Sequence, residues 1–258
     1  MYLRPGLAKQ QTRATDFPGR RLRLLLQRVS KATLVDVWLV KITVDGPLGL
    51  NAARTLLADR PLQAAYREHE DDRRRALVAH AALARLVARR MGTDPASVDI
   101  RRDERGRPVL PAASRLHASV SHSGNYVACA VSSLPVGVDL ERTDRSEVDE
   151  AFASRVCVPG ELAQLGRAPS DARASALIRM WTRKEAVAKA LGVGHALPFD
   201  QLTITGARPL VNGVRVPSMW IRDVERSPPG YAIAVAGEGG RAALRGYLFV
   251  GGAVSRLA

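Results

Sequence analysis

Between Val35 and Val44 the chain reads VDVWLVKITV, a run of β-branched and apolar residues that predicts the first strand, closed by Gly46-Pro47-Leu48-Gly49. Upstream, residues 1–34 keep no sustained period and scatter Pro, Gly and Arg, which predicts a flexible extension. The rhythm then changes. From Asp71 to Met91, the positions Leu77, Ala81, Ala84 and Val87 recur at three- and four-residue steps and share one helical face, and Gly92 supplies a stop. Short strands are expected near 97–101, 117–121 and 126–132, with a turn over Asp103–Pro108. A strand at 136–141 opens a second half. There a long helix is expected over 170–191, capped by Ser170 or Asp171 and stopped by Gly192. Strands near 201–206, 214–223, 230–236 and 242–249 follow. The same pattern thus occurs twice, a long helix with a small, mainly antiparallel sheet. It defines an α+β chain with halves 35–134 and 135–258.

Composition narrows the function classes. Of 258 residues, 46% are hydrophobic and 25% charged, enough for an ordinary buried core. No stretch reaches the ~18 consecutive apolar residues that a membrane helix needs. The apolar-rich run at 22–26 is too short for the core of a secretory signal, so a cytoplasmic protein without a membrane partner is expected. A net charge of +14 invites nucleic acid as a partner. However, residues 1–34 hold eight basic side chains against Asp16 alone, which is half of that excess. Aromatic residues are only 5%, leaving little to stack on bases. No nucleic-acid partner is expected; an anionic ligand or an acidic protein suits the remaining charge. Cys129 and Cys157 form no CxxC or other metal pattern and read as small buried hydrophobes.

Three segments carry candidate chemistry. In GVDLE, Gly137–Glu141, strand spacing puts Asp139 and Glu141 on one face. Two like charges so placed fit a hard divalent cation, Mg²⁺ above all, or else an exposed acidic face beside Arg142 and Arg145. In WTRKEAVAKALG, Trp181, Glu185 and Lys189 follow at four-residue steps. That pattern fits either a surface Glu–Lys pair with Trp181 as core anchor, or a metal ligand at Glu185 with Lys184 and Lys189 facing phosphates. In SVSHSGNY, His122 ends a strand among small residues; it is either a structural histidine or a donor to an anion. No P-loop or kinase-type glycine loop is present to hold a nucleoside triphosphate.

Taken in order, SHSG, then GVDLE 16 residues later, then WxxKEAxxKAxG about 40 further on, the chain resembles the surfactin-type (Sfp-like) 4′-phosphopantetheinyl transferases. RGRP, Arg105–Pro108, resembles that family's Gly-Lys-Pro turn, and Asp72–Gly92 its first long helix; the likeness covers roughly 35–236. The resemblance implies a pseudo-dimer of two similar halves that binds coenzyme A in the cleft between them and works as a monomer. It implies Mg²⁺ on Asp139, Glu141 and Glu185, with Lys184 and Lys189 on phosphates and Ser121 and His122 on the 3′-phosphate. Arg107 stands where the family has Lys, and a planar fork is not equivalent to an ammonium. His80 stands where the family often has Arg, and Arg73, Arg74 and Arg75 are candidates for the nucleotide end. The implied reaction moves the phosphopantetheine arm of coenzyme A onto a serine of an apo acyl or peptidyl carrier protein and releases 3′,5′-ADP. Glu185 is the candidate base, with Glu161 behind it and Lys189 assisting. Carriers of fatty acid, polyketide and nonribosomal peptide synthesis all remain open.

Overall fold

The computed structural model describes residues 32–58, 69–144, 148–240 and 242–257, so most of the expected extension over 1–34, and Arg145, lie outside the described residues. The first strand, β1, runs Thr33–Lys41, two residues earlier than the sequence pattern placed it and three residues shorter at its end. A helix that the periodicity did not reveal, α1 (Leu50–Leu56), follows. The first long helix, α2, spans Glu70–Met91 and ends on Gly92 in the left-handed region. Where a strand was expected at 97–101, the chain makes a 3₁₀ turn at Pro95–Ser97, which Asp94 caps by accepting the Ala96 N–H. Only two-residue strands follow, β2 (Arg101–Arg102) and β3 (Pro108–Val109). Then come β4 (His117–Ser123), β5 (Tyr126–Ser132) and β6 (Val136–Arg142), close to their expected positions.

Two short helices, α3 (Glu150–Val156) and α4 (Pro159–Gly166), were not anticipated. The second long helix, α5, spans Ser170–Leu191 as expected, except that Pro169 holds the N-cap position and no side chain caps it. The strands β7 (Leu202–Thr205), β8 (Arg208–Val211), β9 (Val214–Arg215), β10 (Met219–Asp223), β11 (Tyr231–Glu238), β12 (Ala242–Val250) and β13 (Ala253–Arg256) complete the chain.

Four layers result. α2 packs on one face of a five-stranded sheet ordered β13-β12-β1-β5-β4, with Trp38, Val40, Val127 and Cys129 turned toward it. Alternate residues of the same strands, Val37, Leu39, Ala128 and Ala130, face a three-stranded sheet ordered β10-β11-β6. α5 covers the far side of that second sheet through Ala186, Val187 and Ala190. Each half is therefore a long helix on a small sheet, a pseudo-dimer. Two strands, β12 and the β13 paired with it, break the expected division. β12, assigned by order to the second half, pairs in parallel with β1, Thr33 opposite Ala242, and so belongs to the first half's sheet. Residues 32–258 accordingly cluster as one unit. A buried ion cluster reinforces the joint: Asp36, 1% exposed, accepts from Arg90 of α2 at 2.6 Å and from Arg245 of β12.

Gly137 decides how closely α5 approaches β6. A Cβ at this position would stand 2.0 Å from the Ala186 carbonyl oxygen and 2.5 Å from the Ala190 nitrogen, so only glycine lets the helix backbone rest on the strand. Gly137→Ala is expected to force the two apart and cost about 1–3 kcal/mol, read as a lower midpoint in urea. An unchanged midpoint would mean that α5 does not sit on β6 in this way.

Candidate active site

The site grows from the edge where the two sheets meet. β4 is the last strand of its sheet. Its residues Ala118 and Val120 pack toward the first core, so Ser119, Ser121 and Ser123 turn the other way, toward β6. There Ser119 Oγ accepts the Val138 N–H at 3.0 Å and Ser123 Oγ accepts the Arg142 N–H at 3.2 Å. Ser121 donates to Asp139 Oδ1 at 2.8 Å, and Ser123 donates to Glu141 Oε2 at 2.9 Å. Both carboxylates of the strand motif are thus aimed and held by hydroxyls from the other half.

α5 closes the arrangement. Lys189 Nζ lies 2.5 Å from Asp139 Oδ1 and 3.1 Å from Ser121 Oγ. Glu185, 8% exposed, sits one turn earlier and lines the same cleft. Asp139 is 2% exposed, and its second oxygen, Oδ2, is buried with no hydrogen-bond partner. The cleft holds about 550 Å³, and Arg102, Arg105, Arg107, His122 and Lys189 are all on its walls. Such a ring of cations fits an anionic ligand. Among the described residues, no three carboxylate, histidine or cysteine side chains converge into a closed metal cage.

The turn expected at Asp103–Pro108 forms the opposite lip. Arg107 donates from Nε to Asp103 Oδ2 at 2.7 Å and from Nη1 to the Gly192 carbonyl at 3.0 Å; Arg105 donates to that same carbonyl at 2.8 Å. Gly192, φ +70°, ends α5, so two guanidiniums from the first half meet the negative end of the second half's helix. His122 is exposed at the cleft near the end of β4, beside a turn where Arg75 donates to the Gly124 carbonyl at 3.1 Å. Partial desolvation between the cleft walls, then the charges of Arg75 and Lys189, hold its imidazole below the ordinary histidine value. Of the three arginines, Arg73 and Arg74 pair with Glu70 and Asp71 of their own helix turn, and Arg75 pairs with Asp72 at 2.8 Å while also reaching the Gly124 carbonyl. His80 is buried on α2, sharing a small void with Arg102, Pro108 and Val120 beneath the cleft.

One assignment is corrected. Lys184 does not reach the cleft. It is fully buried on the other side of α5 and donates to the carbonyls of Val156 (2.7 Å) and Phe199 (2.9 Å) and to Glu161 Oε2 (2.5 Å). Adjacent helix positions point about 100° apart, so Lys184 and Glu185 cannot serve one site. Burial pushes the Lys184 ammonium below its usual range, against the pull of Glu161. Glu161 is likewise consumed, accepting also from the Val158 and Ile204 N–H groups at 3.0 Å each, which removes it as a base. Trp181 stacks with Phe152 and Phe199 beside a second, more apolar depression of about 450 Å³.

Ser119, Ser123 and Arg105 lay within segments that the sequence marked but were given no role there, and Arg102 was not singled out. The alternating serines of ASVSHS were the available signal: period-2 polarity on a strand whose other face is apolar.

Comparison with known proteins accounts for this arrangement. Residues 135–236 match the model of the 4′-phosphopantetheinyl transferase superfamily, and residues 51–134 match that of a 4′-phosphopantetheinyl transferase N-terminal region. HetI, a 4′-phosphopantetheinyl transferase of Nostoc sp. PCC 7120, is 31% identical over 181 residues, covering 67% of this chain and 76% of the relative. The chain belongs to the 4′-phosphopantetheinyl transferase superfamily. A Bacillus subtilis 4′-phosphopantetheinyl transferase is 32% identical over 53% of this chain and 60% of its own length. Sfp of Bacillus subtilis strain 168 is 27% identical over 65% of this chain and 75% of its own. The chain thus spans less than two thirds of the relative that is 32% identical and about three quarters of HetI and Sfp. The two matched regions meet at residues 134 and 135, next to β6 and the serine seam.

Two outcomes test this geometry. In NMR titrations the His122 imidazole should titrate below the ordinary value and move upward when an anion enters the cleft, because the protonated form then gains a partner. A midpoint insensitive to ligand would remove His122 from the anion's contacts. Lys184→Met should destabilise the protein by about 3–5 kcal/mol by leaving Glu161 buried and uncompensated. The double replacement Lys184→Met/Glu161→Gln should recover much of that loss in the same denaturation assay.

Proposed function

We propose that the transferase moves the phosphopantetheine arm of coenzyme A onto a serine hydroxyl of an apo acyl or peptidyl carrier protein, with Mg²⁺ held by Asp139, Glu141 and Glu185. The observation that carries this reading is the buried Asp139 carboxylate of β6, joined to Ser121 and Lys189, two residues that line a cleft walled by cations. Mg²⁺ keeps waters and takes only a few protein carboxylates together with substrate phosphates. An open donor set with one buried, unpartnered oxygen at Asp139 fits that ion better than a closed cage would. When bound, the ion would offset charge developing on the pyrophosphate oxygens.

The chain's own residues divide the remaining work. Arg107, Ser121 and His122 face the nucleotide phosphate, with Arg102 and Arg105 adding charge on the same wall. Lys189 neutralises the pyrophosphate from the α5 side. The carrier serine oxygen attacks the phosphorus that bears pantetheine, the bond to the nucleotide phosphate breaks, and 3′,5′-ADP leaves. Glu185 takes the serine proton, being the carboxylate of the long helix that lines the cleft. The carrier supplies the nucleophile, so the site requires none of its own. We place the reaction in the cytoplasm, in a monomer. No described helix is long and apolar enough to cross a membrane.

Incubation with coenzyme A, Mg²⁺ and apo carrier proteins should add about 340 Da to a carrier by intact mass, the arm being a covalent modification. The gain should vanish with chelator. Asp139→Ala and Glu185→Ala should each lower turnover by at least about a hundredfold, the scale of losing a general base or a charge-stabilising group. Full activity in either variant would defeat the metal and base assignments.

A further inference from the structure

Asp139 already has a cation. Its Oδ1 receives the Lys189 ammonium at 2.5 Å and the Ser121 hydroxyl at 2.8 Å, while Oδ2 stays buried and unpartnered. The two partners are not equally committed. The Asp139 side chain is 3% exposed, whereas that of Lys189 is 28% exposed and lines the cleft. Building on the reading that phosphates enter this cleft and a divalent ion is held at Asp139, we infer that Lys189 is an internal counter-ion. It occupies Asp139 until substrate phosphate draws it away, and it thereby makes metal binding depend on coenzyme A.

The physical reasons are local. A carboxylate this deeply buried requires compensation in the free protein, and removing its partner leaves an unpaired charge. Lys189 provides the compensation. A divalent ion arriving alone, even at the unpartnered Oδ2, would share the Asp139 carboxylate with an ammonium that repels it, or would expel that ammonium with no anion to receive it. With a pyrophosphate in the cleft, Lys189 exchanges one anion for another, and the flexible lysine stem permits the swing. Ser121 is the pivot: its oxygen lies 3.1 Å from Lys189 Nζ and donates to Asp139, so Oδ1 keeps a hydrogen bond after the ammonium leaves. Linkage then requires each ligand to raise the other's affinity by the same factor.

Binding of Mn²⁺, a stand-in for Mg²⁺, can be followed by the electron paramagnetic resonance of the free ion, with and without coenzyme A. Wild-type protein should bind Mn²⁺ about tenfold or more tightly once coenzyme A is present, within the usual range of coupling between sites. Lys189→Met should bind Mn²⁺ more tightly than wild type without coenzyme A and show little further gain on its addition. Lys189→Arg keeps the charge and should return binding toward the weak wild-type value. Should Lys189→Met fail to fold, Lys189→Gln serves the same comparison. Equal Mn²⁺ affinity of wild type and the neutral variant without coenzyme A would overturn the inference. A wild type that binds no Mn²⁺ even with coenzyme A, or an Asp139→Asn variant that binds it undiminished, would instead bring down the metal reading beneath it.

Discussion

Three serine hydroxyls, from Ser119, Ser121 and Ser123, hold the edge of one sheet against the edge strand of the other. Deeper between the sheets the contact is dry, Val37 and Leu39 against Val138 and Leu140. At β4 the same inward-facing positions are polar, so the interface changes there from packing to hydrogen bonding. Replacing the serines by aliphatic residues would extend the core and bury the carboxylates under it. With serines in place, the margin of the seam is hydrogen-bonded rather than packed, and Ser119 and Ser121 line the cleft beside the strand motif. The site is the polar margin of the hydrophobic interface between the halves.

Three buried carboxylates show how exposure sorts similar chemistry into different roles. Asp36 lies between two arginines, Glu161 meets Lys184, and Asp139 meets Lys189. The first two pairs join secondary elements within the fold. Lys184 has no exposed side-chain surface and can do nothing but hold α3, α4 and α5 together. Lys189, five residues along the same helix, has an open side toward the cleft. Its pairing is the only one of the three placed to respond to a ligand.

Much of this was legible in the chain. Both long helices, the carboxylate strand and the Asp103–Pro108 turn carry strong local signals: apolar periodicity, glycine stops and alternation. Lys184 was misread because a lysine beside a candidate ligand invites a functional role, while its actual partner, Glu161, lies 23 positions away and only tertiary packing brings them together. α3 and α4 are one to two turns long, too short for periodicity to declare them, although Pro159 followed by Glu161 marks a helix start. The membership of β12 was equally hidden. Its apolar alternation predicts a strand but says nothing about which sheet edge will accept it.

That strand has a consequence for how the molecule is made. β1 is an interior strand of the first sheet only because β12 lies beside it, and Asp36 is fully neutralised only once Arg245 arrives from β12. During synthesis the first half therefore emerges with an open edge and an incompletely compensated carboxylate. It cannot finish folding until residues 242–250 have left the ribosome, some two hundred residues after β1. The first sheet of such a chain stays incomplete for nearly the whole of its translation.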